Sequence, residues 1–248
     1  MNASLPEPTH THKNSSSVLA NLLFNIVIPT LILTKLSKDN YLGPVYALVI
    51  ALAFPVIYGL RDYFVVQKAA ALKGLKHKPN FFSLIGIFSI LLTGGMSLLK
   101  LDPKYVAIKE AAVPALIGLA TLISMYTKFP LVRVFLYNEQ VLQVEKVTAA
   151  LVQHNTTAQF EKRLKVASYL VSSSFFMSAA LNYALAKYIL VSAPGTSAYS
   201  EELGKMTALS FPIIALPSTL VLMLALIYLL KGITKLTHLQ FEDIFHQA

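Results

Sequence analysis

The spacing of apolar and polar positions along the chain predicts six membrane-spanning helices. Six apolar runs approach the roughly 20 residues with which a helix crosses about 30 Å of hydrocarbon. They cover residues 18–36, 41–60, 81–99, 103–126, 164–190 and 206–230. Hydrocarbon offers backbone amides no partner, and these runs are too long and uniform for barrel strands, so each is predicted to be helical. The predicted fold class is all-α, a polytopic membrane helix bundle over residues 18–230.

Three segments outside these runs have a different pattern. Residues 1–17 are polar and contain proline, which predicts a disordered cytoplasmic tail. Residues 131–163 place apolar side chains at nearly helical spacing among charges, which predicts one or two amphipathic cytoplasmic helices that lie on the membrane or extend the bundle. Residues 231–248 repeat the pattern and predict an amphipathic C-terminal helix. For both apolar stripes, contact with lipid is favoured over contact with a partner protein.

Composition supports the membrane class. Apolar residues make up 55% of the 248 positions, charged residues 13%, and the mean hydropathy is +0.60, whereas soluble domains carry about 25% charged residues. The chain has no cysteine, which excludes disulfides and thiolate metal ligands. The histidines show no metal-ligand spacing, so no metal and no cofactor are predicted.

The distribution of lysine and arginine predicts the orientation. If the six runs span the membrane, 14 of the 21 basic residues lie on the side that carries both termini, and 7 lie on the other. The positive-inside rule then places both termini in the cytoplasm. The net charge of +9 indicates attraction to anionic lipid headgroups, and nucleic acid is not expected as a partner. A lipid-facing basic patch is predicted at Lys68, Lys73, Lys76 and Lys78, although an ordinary loop that sets the topology is the favoured alternative.

Two opposite charges stand inside the fourth apolar run. Asp102 and Pro103 predict a helix start, with an N-cap acceptor followed by a proline at the first helical position. Lys109 and Glu110 follow within that helix, at the edge of the apolar slab or just beneath it, where desolvation is expensive. One interpretation is an outward-opening polar pocket formed with Thr93, Asn182 and Ser210. The other is a snorkelling lysine beside an exposed glutamate at a helix mouth.

The remaining polar residues do not form a recognisable catalytic set. Arg61 and Asp62 end the second run on the cytoplasmic side, separated from Lys109 and Glu110 by most of the bilayer. The sequence has no serine–histidine–acid set, metal constellation, phosphate loop or kinase motif. We therefore predict no catalytic residues and no enzyme activity. The serines at 172–174 are expected to bridge helices through hydrogen bonds.

A resemblance to a known family is carried by FFSLIGIFSILLTGGMSLLKLDPKYVAIKEAAVPALIGLATLISMYTKFPLVRVFL, residues 81–136, together with Leu60–Arg61. This stretch resembles the bacterial intracellular septation protein A family and its longer, mostly uncharacterised inner-membrane relatives. Lys109, Phe129–Pro130 and Arg61 match the family pattern by position. The amphipathic insert and the last two runs depart from the shorter septation proteins. The resemblance implies a bacterial inner-membrane protein without known catalysis, which acts in envelope upkeep or division through partner proteins or lipid.

Two functional hypotheses remain open at this point. The first is a non-enzymatic inner-membrane protein that maintains the cell envelope through contacts with lipids and with other inner-membrane proteins. The second is a small secondary transporter or lipid carrier that uses the pocket around Lys109 and Glu110. Prolines inside the apolar runs are compatible with both, since membrane helices tolerate them and transporters use broken helices at their sites.

Overall fold

The computed structural model of the chain describes residues 19, 22–72, 81–127, 130–137 and 142–245, and they are predominantly helical. The helices are α1 (Leu23–Lys35), α2 (Gly43–Leu72), α3 (Phe81–Leu98), α4 (Pro103–Ser124), α5 (Leu131–Leu136), α6 (Val144–Gln153), α7 (Thr157–Ile189), α8 (Ser197–Ser210) and α9 (Leu216–Thr237). A short 3₁₀ helix at Glu242–Ile244 follows. The described residues contain no β-strand, only an isolated bridge between Leu142 and Phe245, so the all-α prediction is confirmed for this part of the chain.

Four helical stretches in the described residues are long and apolar enough to cross a membrane. They are Gly43–Arg61, Pro103–Ser124, Thr157–Ile189 and the continuous stretch Ser197–Thr237. The described apolar parts of α1 and α3 are shorter, at Leu23–Lys35 and Phe88–Leu98. These helices indicate a membrane protein, and the count of six spans stays a prediction. The predicted tail at 1–17 lies outside the described residues.

Two helices contain a wider, π-helical turn next to a proline. The first five residues of α1, Leu23–Val27, are π-helical and precede Pro29. Residues Phe211–Ala215 join α8 to α9 in the same way and precede Pro217. A proline cannot donate to the carbonyl four residues earlier, which lies in the π-helical turn in both cases. Each helix therefore switches between π-helical and α-helical winding at the place where the proline removes the regular hydrogen bond.

The chain divides into two compact units, the first of which comprises Met1–Pro103 and Ile189–Ala208. Within it, α8 packs very closely against α1. Gly204 has no side chain, and a Cβ atom there would lie 2.9 Å from Leu33 Cβ and 2.9 Å from Thr34 Cγ2. The Ser197 hydroxyl donates to the Ser37 carbonyl at 2.8 Å. Small and polar residues thus join α8 to α1, as is typical of helices packed in membranes.

The second unit comprises Lys104–Tyr188 and Leu209–Ala248. Of the three serines expected to bridge helices, Ser172 and Ser174 do so, whereas Ser173 donates to the Leu170 carbonyl of its own helix. Ser172 on α7 donates to the Gly118 carbonyl of α4, and Ser174 donates to the Ser218 carbonyl of α9, both at 2.8 Å. Each of these two hydroxyls therefore donates its hydrogen bond to a carbonyl of a neighbouring helix.

One end of the second unit is a compact arrangement that we call the cap, formed by α5, α6, the first turns of α7, the last turns of α9 and residues 238–245. A continuous cluster of buried apolar side chains holds it together, and its members include Val147, Leu151, Phe160, Ile233 and Ile244. Fully burying a residue of this size contributes about 1.5–3 kcal/mol. The cap is thus a hydrophobic core in its own right.

The cap differs from the predicted lipid contact of the 131–163 and 231–248 segments. The apolar stripe of α6, which includes Val147, Ala150 and Leu151, is buried inside the protein. The expected single helix over 231–248 is interrupted, because α9 ends at Thr237 and His238 adopts a left-handed conformation with φ of 56°. The chain then turns back, which buries Ile244 completely. The two stripes cover each other because the segment around α6 and the C-terminal residues meet there.

Hydrogen bonds fix the C-terminal residues on the cap. The Gln143 backbone amide donates to the Ile244 carbonyl at 2.8 Å, and the Gln143 side chain donates to the Phe245 carbonyl at 2.8 Å. The Lys146 ammonium contacts the Asp243 carboxylate at 2.8 Å. Thr156 donates to the Leu236 carbonyl at 2.9 Å. Residues that are about 80 to 100 positions apart in sequence are therefore joined directly.

The close approach at Gly204 predicts that an alanine substitution destabilises the protein at Gly204 and does not at Gly95. Gly204→Ala should lower the free energy of unfolding by about 1–3 kcal/mol, since the added methyl group must displace α1. Gly95→Ala is the matched control, because a Cβ at Gly95 meets nothing within 4 Å and alanine favours a helix. Thermal unfolding in detergent, followed by circular dichroism, measures both. Equal melting temperatures for the two variants would contradict the packing described.

The cap predicts a strong effect of one residue near the C-terminus. Ile244→Ala should destabilise the cap by about 2–4 kcal/mol, because it removes a fully buried side chain. Val152→Ala on the exposed face of α6 should change stability by less than about 0.5 kcal/mol. Hydrogen exchange of the α6 amides measures the difference. Slow exchange retained in Ile244→Ala would show that the C-terminal residues do not hold the cap together.

Candidate functional site

Lys109 and Glu110 form an ion pair on α4. The Lys109 Nζ atom lies 2.7 Å from Glu110 Oε1, and the two side chains are 7% and 25% exposed. The helix begins at Pro103, as the Asp-Pro dipeptide predicts, and Pro114 lies inside it. Adjacent helical positions do not usually face each other, so the flexible lysine must bend to reach its neighbour. The two charges are therefore neutralised locally.

The burial of Lys109 bears on the two interpretations of this pair. A lysine that extends to the headgroups keeps its ammonium in water, whereas this side chain is almost fully covered by protein. Removing an ammonium from water costs several kcal/mol, which is offset only by a close partner with good geometry. The pair is thus better described as an internal contact than as a snorkelling side chain.

The other candidate pocket residues are placed as follows. Thr93 is buried on α3 of the first unit and donates to the Ser89 carbonyl of its own helix at 3.0 Å. Asn182 on α7 donates to the Ser178 carbonyl at 2.8 Å, again within one helix. Ser210 is half-buried at the end of α8, immediately before the π-helical turn. The hydrogen bonds of Thr93 and Asn182 to carbonyls four residues earlier satisfy these polar groups within their own helices.

The glycine beside Thr93 also has a packing role. A Cβ at Gly94 would lie 2.6 Å from Leu52 Cδ1 on α2. Gly94 therefore allows α2 and α3 to approach within the first unit, which is the usual reason for a glycine in a membrane helix.

The predicted cytoplasmic charged pair and the predicted basic patch lie only partly within the described residues. Arg61 is exposed on α2, at the end of the apolar stretch Gly43–Arg61. The side chains of Asp62 and Lys68 lie outside the described part of the structure, as do residues Lys73, Lys76 and Lys78. The predictions for these residues stay predictions.

Two partly buried hydrogen bonds at Tyr137 were not predicted from the sequence. The Tyr137 hydroxyl lies 3.0 Å from Thr148 Oγ1 and donates to the Val144 carbonyl at 3.3 Å. Burial raises the pKa of Tyr137 above its usual value, so its hydroxyl stays protonated. In the sequence, Tyr137 is a tyrosine at the end of an apolar run. This pattern does not predict the hydrogen bonds, because it is equally typical of a tyrosine at a membrane interface.

The side-chain carboxylate of Asp243, in the C-terminal part of the cap, is held in its charged form. The Lys146 ammonium lowers the pKa of Asp243 by hydrogen bonding and by charge. A lowered pKa stabilises the folded state above the pKa of the unfolded chain, and this contribution is lost as the pH falls through the folded value. Both side chains are well exposed, at 43% and 45%, so the pair positions residues 238–245 more than it stabilises them.

Two observations on the described residues concern possible metal sites and cavities. Among them, no group of three or more His, Asp or Glu residues is arranged to hold a metal ion. A cavity of about 330 Å³ lies in the first unit, and its lining is apolar except at one end. The polar side chains of its lining are those of Tyr58 and Arg61.

Comparison with known proteins gives no relative: no protein-family model, no curated protein and no solved structure matches the chain.

The ion pair on α4 predicts an asymmetric response to mutation. Glu110→Gln should lower the free energy of unfolding by about 3 kcal/mol, because the buried ammonium loses this carboxylate. Lys109→Met should lower it by about 1 kcal/mol, since Glu110 is partly exposed and keeps some hydration. The double variant should be more stable than Glu110→Gln alone. Denaturant unfolding in detergent measures all three.

An exposed ion pair provides the control for this series. Lys205 and Glu201 lie 2.8 Å apart, four residues apart along α8, with both side chains exposed. Lys205→Ala should lower stability by less than about 1 kcal/mol. If Lys109→Met and Glu110→Gln cause equal losses that simply add in the double variant, the pair does not act as a buried contact.

Proposed function

We propose that the chain is a non-enzymatic integral protein of the bacterial inner membrane that acts in cell-envelope maintenance or division through contacts with proteins and lipids. The observation that carries this proposal is the cap, a folded structure attached to membrane helices. Its surface presents exposed apolar and charged side chains, such as Val152 and Lys162, that a partner protein or lipid headgroups can contact. The ion pair on α4 supports a structural role for its charges over a transport role. Lys109 and Glu110 contact each other at 2.7 Å and thus neutralise each other within the protein.

The proposal includes a bundle of six spans with both termini in the cytoplasm. The bias of lysine and arginine supports this orientation. It places the cap, which contains Arg133, Lys146, Lys162, Arg163 and Lys165, on the cytoplasmic side. Lys162 and Lys165 are exposed at the start of α7, where they attract anionic headgroups or an acidic partner surface.

The assignment to envelope maintenance or division rests on the resemblance of residues 81–136 to the septation protein A family. Lys109 belongs to that pattern, and in this chain it is the buried member of an ion pair. A structural role for the pair agrees with a family that has no known catalysis. The cap residues lie mostly outside the resembling stretch, so they are where a function particular to this chain would reside.

A second candidate is a small secondary transporter or lipid carrier. The observation that favours it is the π-helical winding before Pro29 and Pro217, in the first and last apolar runs. Interrupted helices expose carbonyls and amides to substrates in transporters. On this alternative, Lys109 and Glu110 line a polar pocket that opens to the cell exterior.

A complementation experiment separates the two candidates. In a strain that depends on the protein, the uncharged variant Lys109→Met/Glu110→Gln should support growth, because it keeps α4 neutral. Val152→Glu on the exposed face of α6 should reduce growth, because it alters the cap surface without touching the core. Ala149→Glu, also exposed on α6, is a second variant of the same surface. Immunoblots of membranes establish that each variant is present at the normal level.

The opposite pattern supports the transporter. Loss of growth with the uncharged α4 variant, restored by the charge swap Lys109→Glu/Glu110→Lys, would assign function to the charges themselves. Normal growth with both cap variants would contradict the proposed role of the cap.

A further inference from the structure

A groove on the surface of the first unit is formed by α1 and α2. It has a volume of about 330 Å³, and it is lined by Phe24 of α1 and by Val49, Ile50, Ala53, Phe54, Ile57, Tyr58 and Arg61 of α2. The α2 residues recur at intervals of three and four, so they form one stripe along the helix. From Ile50 to Arg61 this stripe is about 16 Å long, at 1.5 Å per residue.

One wall of the groove consists of aromatic rings. The Phe24 ring stacks against Tyr58 with centroids 5.5 Å apart, and against Phe54 at 6.4 Å. Such contacts hold rings in a fixed orientation and add about 0.5–1.5 kcal/mol per pair. Ala53 lies beside Phe54 and, being small, leaves the space open. The recess is therefore a consequence of rigid packing and one small side chain.

The polar end of the groove is the Arg61 guanidinium. Arg61 is the last residue of the apolar stretch Gly43–Arg61, and it is exposed. A stretch of 19 residues is close to the length that crosses the hydrocarbon, which puts its final residue at the level of the headgroups. A guanidinium binds phosphate oxygens through two parallel hydrogen bonds. The groove thus combines an apolar recess with a guanidinium that lies at the depth of the lipid phosphates.

We propose that this groove binds one anionic phospholipid, with an acyl chain along the aromatic wall and the phosphate at Arg61. The volume argues for a single chain, since a helix from a partner has a diameter of about 10–12 Å and needs more room. About 330 Å³ lies at the lower end of the range of ligand pockets. An apolar groove alone does not distinguish one lipid from another. The arginine favours an anionic headgroup over phosphatidylcholine, because the choline cation of phosphatidylcholine offsets the charge of its phosphate. The inference requires α2 to cross the membrane and is independent of the envelope role.

The absence of tryptophan from the chain allows a direct test. Ile57→Trp places a single fluorophore in the groove, at a side chain that is 64% exposed, and Leu224→Trp places one on α9 at a side chain that is 61% exposed. The purified variants are reconstituted in phosphatidylcholine vesicles with increasing fractions of phosphatidylglycerol, either lipid carrying brominated acyl chains. Bromine quenches tryptophan only at short range.

The groove reporter should prefer the anionic lipid. Quenching of Ile57→Trp should show an apparent affinity for phosphatidylglycerol about five-fold above that for phosphatidylcholine, the factor expected for one basic residue at the headgroups. Leu224→Trp should show no preference. Val49→Trp, at the other end of the groove, provides a second reporter in case the first disturbs the site. Circular dichroism establishes that every variant is folded.

Two further substitutions separate the headgroup from the chain. Arg61→Gln should abolish the preference in both groove reporters, whereas Lys231→Gln, a basic residue at the far end of α9, should leave it unchanged. Ala53→Phe should also abolish it, because it fills the groove while keeping Arg61. The proposal is overturned if folded Ile57→Trp and Val49→Trp are quenched equally by the two lipids or by neither. It is also overturned if the preference survives Arg61→Gln or Ala53→Phe.

Discussion

The constraint on which the structure depends is that hydrocarbon cannot hydrogen-bond, so every polar group in an apolar helix must find its partner within the protein. Most of the buried hydroxyls follow this rule. Among the described residues, the hydroxyls of Thr30 and Ser218 are exceptions, because they are buried without a hydrogen-bond partner. Thr121 donates to the Ile117 carbonyl one turn earlier, while Ser172 and Ser174 reach carbonyls of neighbouring helices. Lys109 follows it as well, through Glu110. In the described helices, polar side chains thus join or stabilise helices more than they form a site.

A second driving force, the burial of apolar surface, explains why the two amphipathic segments form the cap. Outside the hydrocarbon, apolar stripes must be covered by lipid or by protein. In the second unit, α6 and residues 238–245 bury their stripes against the last turns of α9, and Gln143 and Lys146 fix the C-terminal residues by hydrogen bonds of 2.8 Å. This places a rigid, partly charged surface next to membrane helices. The proposed binding of a partner protein or of lipid headgroups rests on that surface.

Local signals in the sequence predict much of the helical architecture. The Asp102–Pro103 dipeptide correctly marks the start of α4, because capping depends on neighbouring residues. The start of α8 is missed, since Ser197–Ser210 is too polar for a hydropathy argument, although its serines and Gly204 pack closely against α1. The cap is missed because it joins residues about 100 positions apart. The sequence places Lys109 and Glu110 next to each other. The burial of the Lys109 side chain could not be predicted, because it depends on how the helices pack.

The central claim is that the apolar helices cross a membrane with the cap in the cytoplasm. Because the chain has no cysteine, single cysteines can be introduced at Asp39, Ser192 and Asn155 and probed with a membrane-impermeant maleimide. In intact cells, Asp39→Cys and Ser192→Cys should be labelled, and Asn155→Cys in the cap should be labelled only after the membrane is permeabilised. Labelling of Asn155→Cys from outside, with Ser192→Cys protected, would contradict the account.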